Sequence, residues 1–400
     1  MSNLRDRLRR IQEQKTSEPI QITINKKQSK DNKEHITKNI ENLTENKKER
    51  IKNDEFDFSD LTNNGWEVCG YKVLKREVNV KSPLKKIKTL PTALPVLISD
   101  LNANNIPLLE DFIFFDLETT GLSGGSGTVA FLAAFGQVFS NTVRGKRGYM
   151  MRLTQYLLLD YPGQNDFLEN VLAHFKNEKS IIVTYNGKCF DSQILKSMCI
   201  MNRITPPEYS HVDLLHPSRR LWKRIIQDCS QSSVETKIIG LDRSGDISGA
   251  LAPDIWFDFI KTGNTEWLIK ICDHNKADIL GLAAILSTII SIADDPFNDK
   301  YKFDIERLAL YWRKYLRKNK NISAKIETTG NKLIKFTAEK KCPKSVYLYA
   351  YDQQLDKNYK ESLKFVNLGL EIFEKESKWH EKLKRRKERL IRIINRLKKE

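Results

Sequence analysis

The run FIFFDLETTGLSGG, Phe112 to Gly125, constrains the fold of this 400-residue chain more than any other segment. Its apolar start reads as a buried strand. Residues two apart on a strand point to the same face, so Asp116 and Glu118 stand side by side at its end, just after Phe114 and Phe115. Two carboxylates so placed repel each other unless a positive charge lies between them, and hard oxygen ligands suit Mg2+ or Mn2+. The plainer alternative is an acidic strand end that leads into a glycine-rich turn.

Two later segments carry further acids. IIVTYNGKCFDSQIL, from Ile181, reads as an apolar strand, an Asn-Gly turn at Asn186 and a helix opened by Asp191, with Ile194 and Leu195 facing inward. Taken alone, Asp191 is either a site residue or an acid that stabilises the first helical turn through the helix dipole. In ICDHNKADILGLAAIL, from Ile271, His274 and Asp278 fall four residues apart on one helical face, while Ile279, Leu282 and Ile285 mark the packed side. A carboxylate so close to buried surface needs a partner, whereas a histidine taken alone is more often structural than catalytic.

The surrounding pattern alternates strand-like runs (FIFFDLE, TVAFLAAFGQV, YMMRLTQYLLL, IIVTYN) with helical ones near Asp166 to Phe175 and from Asp191. Such alternation predicts an α/β domain, a mixed sheet with flanking helices, over 61–300, with residues 65–82 adding an edge strand or hairpin. Leu4, Leu8 and Ile11 predict an amphipathic helix over 1–15, and the Lys-, Asn- and Glu-rich stretch 16–60 predicts a flexible charged linker. Residues 301–400 read as a basic helical region. Within it, SVYLYAYDQQLDKNYKESLKFVNLGLEIF is similar to one tetratricopeptide-type (TPR-like) hairpin, with a helical cap on the core as the alternative.

Charge is concentrated in that last region: 28 Lys and Arg against 13 Asp and Glu supply +15 of the +17 net charge. A polyanionic partner is the expectation, against a general lysine bias of the composition. The six cysteines form no Cys-x-x-Cys pair, and no histidine stands at zinc-finger spacing, which argues against a structural zinc. No charged-then-apolar leader opens the chain, and Leu280 to Ala293 is too short and too interrupted to span a bilayer. The expectation is a soluble, reducing, cytoplasmic protein.

In this order, D-x-E, N-x-x-x-x-D and H-x-x-x-D resemble the exonuclease family named after its Asp-Glu-Asp-Asp carboxylates (DEDD), which has the ribonuclease H-like fold. More narrowly, DLETTGLSGGSGT, HVDLLHPSRRLWKR and HNKADILGLA are similar to the YprB-like group of bacterial ribonuclease H-like proteins, over roughly residues 65–300. The resemblance implies 3′-to-5′ cleavage of nucleic acid with two metal ions, Mg2+ or Mn2+. Asp116 bridges both ions in that scheme, Glu118 holds the nucleophile-side ion and orients the water, and Asp191 and Asp278 complete the set. His274 takes the role of general base, although it stands four rather than five residues before the last acid, the spacing at which the other subtype places a tyrosine.

The same resemblance implies DNA ahead of RNA as substrate, and a DEAD/DEAH-type helicase partner in DNA repair. Thr119 and Asn186 join the substrate contacts. Arg219, Arg220 and Arg224, with Lys223, read either as a phosphate clamp or as salt bridges on a helix surface. An RNA 3′ exonuclease is the alternative within the same chemistry. A non-catalytic adaptor acting through the C-terminal helices is the alternative of another class, and the complete acid set counts against it.

Overall fold

The computed structural model describes residues 59–398 apart from 85, 88, 103–104, 122–126, 144–145 and 320–321, and leaves the side chains of 142–147 undescribed. The helix expected over 1–15 and the linker expected over 16–60, up to its last two residues, lie outside the described residues.

Seven strands form one mixed sheet: β1 (Trp66–Gly70), β2 (Val73–Lys81), β3 (Phe112–Thr119), β4 (Ala130–Val143), β5 (Lys146–Leu158), β6 (Ile181–Thr184) and β7 (Ser210–Asp213), in the order β1-β2-β5-β4-β3-β6-β7. Neighbours from β1 to β3 pair antiparallel, and β3 pairs parallel with β6. The alternating run at 65–82 forms the β1–β2 hairpin at the sheet edge, as its period of two predicts.

Strand β3 shows why the acids sit where they do. Ile113, Phe115 and Leu117 point into the main apolar core, where Phe115 stacks on Phe135 at 5.0 Å and meets the edge of Phe175 at 5.4 Å. Asp116 and Glu118 alternate with them and therefore face the other side, opposite Ala134 and Leu132 of β4. The register shifts between Glu118 and Thr119, which ends regular pairing beside the acids.

The principal helices are α1 (Gln164–Leu172), α2 (Asp191–Met201), α3 (Leu215–Trp222), α4 (Ala252–Thr262) and α5 (Glu266–Asp294). The C-terminal helices follow as α6 (Ile305–Lys318), α7 (Ala324–Glu339), α8 (Pro343–Leu355), α9 (Tyr359–Ile372) and α10 (Lys378–Leu397). Ile194 and Leu195 of α2 are buried, as their spacing predicts. Gly136 of β4 admits α5: a Cβ there would stand 2.5 Å from Ile279 Cγ2, one residue beyond Asp278. The apolar stretch from Leu280 is part of a 29-residue helix, longer than its composition alone suggests. That helix is long and apolar enough to cross a membrane by length and composition, yet 67% of its apolar window is buried inside the protein.

The chain divides into two compact units. Among the described residues, the first takes 59–86, 109–211 and 242–283; the second takes 87–108, 212–241 and 284–398. Where the sequence predicts one boundary near 300, packing interleaves segments remote along the chain. In the second unit Trp222 Nε1 donates to Lys302 O at 3.0 Å, and Arg313 forms a two-pronged pair with Asp352 at 2.5 and 2.7 Å. The segment 345–373 forms the helical hairpin α8–α9, in which Ser362 Oγ donates to Ala350 O at 2.7 Å.

Candidate active site

The first unit brings five of the expected residues together from three elements. Asp116 and Glu118 come from β3, Asp191 from the first turn of α2, and His274 and Asp278 from successive turns of α5. Asp191 is buried, and its Oδ1 accepts a hydrogen bond from Leu117 N at 3.2 Å, so this carboxylate is turned toward β3 rather than serving only its own helix. Glu118, His274 and Asp278 offer ligand atoms that all lie within 4.8 Å of one another.

Burial raises the Asp116 carboxyl well above the usual carboxylate range, with further upward pushes from Asp278 and Asp191; the hydrogen bond from Asn275 and the Arg243 charge oppose this. Glu118 is raised likewise by burial, then by Asp116, Asp278, Asp191 and Asp246. Each group resists ionisation because its neighbours are acids in a poorly solvated place. The donor set fits a hard divalent cation: oxygen-rich, largely withdrawn from solvent, and relieved of repulsion by positive charge.

Residues that the sequence did not single out complete the site. Arg243 pairs with Asp278 and with Asp246, the latter at 2.7 Å. Asp246 Oδ1 lies 2.8 Å from His274 Nδ1, while His274 Nε2 lies 3.2 Å from Asp278 Oδ2. Burial alone would lower the His274 pKa, but the Asp246 hydrogen bond and the charges of Asp278 and Asp246 outweigh it and hold the imidazole above its ordinary value. Gly249 closes against the ring; a Cβ there would come 3.0 Å from His274 Nε2.

Beneath the acids runs a buried polar chain. Asn275 Nδ2 donates to Asp116 Oδ2 at 2.7 Å, and Gln155 Nε2 donates to Asn275 Oδ1 at 3.0 Å and to Cys272 O at 2.7 Å. Arg76 donates to Gln155 Oε1 from Nε at 3.1 Å and from Nη2 at 2.7 Å. Asn275 adjoins His274 in sequence, which is a usable signal. Nothing local marks Gln155, and Arg243 and Asp246 lie in a Ser- and Gly-containing loop whose partners are remote.

The expected substrate contacts fall in both units. Thr119 ends β3 and donates to Gly121 O at 2.8 Å, and Asn186 takes φ 65° in the turn after β6. The arginines belong to the second unit. Arg220 donates to Leu97 O at 2.6 Å and Ser99 Oγ at 3.1 Å, and Arg224 pairs with Asp304 and Glu306, each at 3.3 Å. Arg219 is exposed on α3.

A ribonuclease H superfamily profile matches residues 113–290, the stretch that carries all five site residues. The chain is 37% identical over 189 residues to YprB of Bacillus subtilis (strain 168), an uncharacterized protein; the match takes in 46% of this chain and 41% of that one. The chain thus spans about two fifths of the length of the curated relative it matches. With the mixed sheet, its flanking helices and the helical C-terminal region, these matches mark residues 113–290 as a ribonuclease H-like fold similar to part of YprB.

Proposed function

We propose that the protein is a metal-dependent 3′-to-5′ exonuclease that hydrolyses phosphodiester bonds of DNA. The observation that carries this reading is the convergence of Asp116, Glu118, Asp191 and Asp278 in one largely buried place, where burial and mutual repulsion raise the first two. Such a cluster is unfavourable by itself and becomes favourable around cations. Asp116, Glu118, Asp191 and Asp278 would hold two ions, Mg2+ or Mn2+, which when bound would supply Lewis-acid activation of a water and neutralise the charge that develops on phosphorus and on the leaving 3′ oxygen.

The chain's own residues do the rest. His274 accepts the proton of the attacking water at Nε2, with Nδ1 anchored on Asp246. Asn275 fixes one oxygen of Asp116 and so orients the carboxylate. Thr119 and Asn186 flank the acids along the chain and contact the substrate. A second reading for His274, as a ligand beside Glu118 and Asp278, is favoured by the short spread of their donor atoms.

DNA repair with a DEAD/DEAH-type helicase partner is the setting we propose, since a frayed 3′ end must reach the acids. We place the protein in the reducing cytoplasm as part of the same proposal. The test is digestion of end-labelled single-stranded DNA, duplex DNA and RNA with Mg2+ or Mn2+, with Asp191→Ala as control. Metal-dependent shortening of DNA from the 3′ end is expected. Shortening of RNA alone makes the protein an RNA exonuclease, and no degradation of any substrate leaves the adaptor reading.

A further inference from the structure

Helix α10 carries nine lysines and arginines against two glutamates and buries only Leu383 and Leu390. Two apolar anchors one heptad apart fix one face of the helix, and most of the remaining surface is basic, apart from Ile391, Ile393, Ile394 and Leu397 toward its C-terminus. Lys382, Arg386, Arg389 and Arg396 follow spacings of four, three and seven, so they form one stripe along the helix. Lys382, Arg389 and Arg396 are exposed.

Arg386 is different from its neighbours. It leans over the rings of Tyr347 at 4.7 Å and Tyr351 at 5.0 Å, and its Nη1 donates to Tyr347 O at 3.3 Å. On one side of it, Tyr351 also receives Arg317 at 5.5 Å; on the other, Tyr347 meets the edge of Trp379 at 4.9 Å, and Lys382 stands over Trp379 at 5.3 Å. The result is a ladder of cations and rings, Arg317, Tyr351, Arg386, Tyr347, Trp379 and Lys382, drawn from α6, α8 and α10 within the second unit. Asp352 answers the charge of Arg317 and Arg313 at one end, and Glu381 pairs with Arg385 near the other. Tyr351 is 37% exposed, so part of its ring is open to a ligand.

We propose that this ladder, with the basic stripe of α10 beside it, is a docking surface for single-stranded nucleic acid. Exposed lysines and arginines match a phosphate backbone by charge, and ring faces among guanidinium groups give unpaired bases something to stack on. A duplex keeps its bases inside and gains only the charge contacts. The surface is built from residues outside the carboxylate site, so the proposal stands or falls independently of the exonuclease reading.

The test is fluorescence anisotropy of a labelled oligothymidylate with the full chain carrying Asp191→Ala, in a chelating buffer so that no cleavage intrudes. The triple variant Lys382→Glu, Arg389→Glu, Arg396→Glu changes only exposed side chains. It is expected to weaken binding at least about tenfold and to lower the log–log salt slope by about 2, the loss of three phosphate contacts to a single strand. Tyr351→Ala is expected to weaken binding about fivefold or more, and Tyr351→Phe to retain it, because the ring and not the hydroxyl stacks. Binding within twofold of the parent in both the triple variant and Tyr351→Ala overturns the proposal. So does loss in the triple variant alone with Tyr351→Ala unaffected, which is charge attraction without stacking. Equal affinity for polyglutamate of matching length also overturns it and assigns the face to an acidic protein segment.

Discussion

Asp246 Oδ1 lies 2.8 Å from Nδ1 of His274, a residue 28 positions further along the chain, and so fixes the imidazole with Nε2 toward Asp278. The pair raises the histidine's pKa, since the bond to Asp246 and the nearby charges of Asp278 and Asp246 outweigh burial. A raised pKa means that the protonated ring stabilises the metal-free fold. That contribution is complete below the unfolded value of about 6.5 and is lost as pH rises through the folded value. NMR titration of the metal-free chain should give a His274 midpoint above 6.5, and Asp246→Asn should bring it down. In the active enzyme, His274→Ala should cost roughly 10²–10⁴-fold in kcat with little change in KM, and Asp246→Asn a smaller part of that. An unchanged kcat in His274→Ala would make the ring structural.

Asp116 is raised by burial first, then by Asp278 and Asp191. A carboxyl with a raised folded pKa supports the metal-free fold only at low pH and opposes it as pH rises through that value. Asp116→Asn should therefore melt above wild type in chelating buffer at pH 7, while losing cleavage and most of the thermal gain that Mn2+ gives the wild type. Wild-type melting shifts with Mn2+ in this variant would remove Asp116 from the ligand set.

Gln155 joins Arg76 to Asn275 and thus to Asp116, all within the first unit. Gln155→Leu takes one acceptor from the buried Arg76, which keeps its pair with Asp273, and leaves Asn275 Oδ1 without its donor, and should cost on the order of 1–3 kcal/mol in urea unfolding. Metal affinity measured by calorimetry should fall as well, because Asn275 loses the partner that holds it against Asp116. Unchanged affinity with lowered stability would limit the chain to a structural role.

His174 lies flat against Phe135 at 3.9 Å, with Tyr156 Oη 3.0 Å from its Nε2. Burial and then Lys75 push its pKa down to about 4, against a smaller upward pull from Glu77. A depressed pKa means stability that is complete above about 6.5 and lost as pH falls toward 4, at most about 3 kcal/mol. Denaturant titrations between pH 7 and 4 should show this loss, and His174→Phe should flatten the slope. An equally steep slope in the variant would trace the acid sensitivity to other groups.

The sequence by itself determined the elements and their acids. Alternation about Asp116 and Glu118 put both on one face of β3, and the spacing of His274 and Asp278 put them on successive turns of α5, because those periods are local properties of the backbone. The β1–β2 hairpin and the helical C-terminal region were legible for the same reason. Tertiary structure alone decided what stands around the acids. Asp246, Arg243 and Gln155 reach the site from loops and strands whose own patterns carry no trace of it, and the 87–108 and 212–241 segments leave the sheet-bearing unit for the other. Partnership between remote residues depends on which faces meet when apolar surfaces are buried, and no periodicity along the chain encodes that choice.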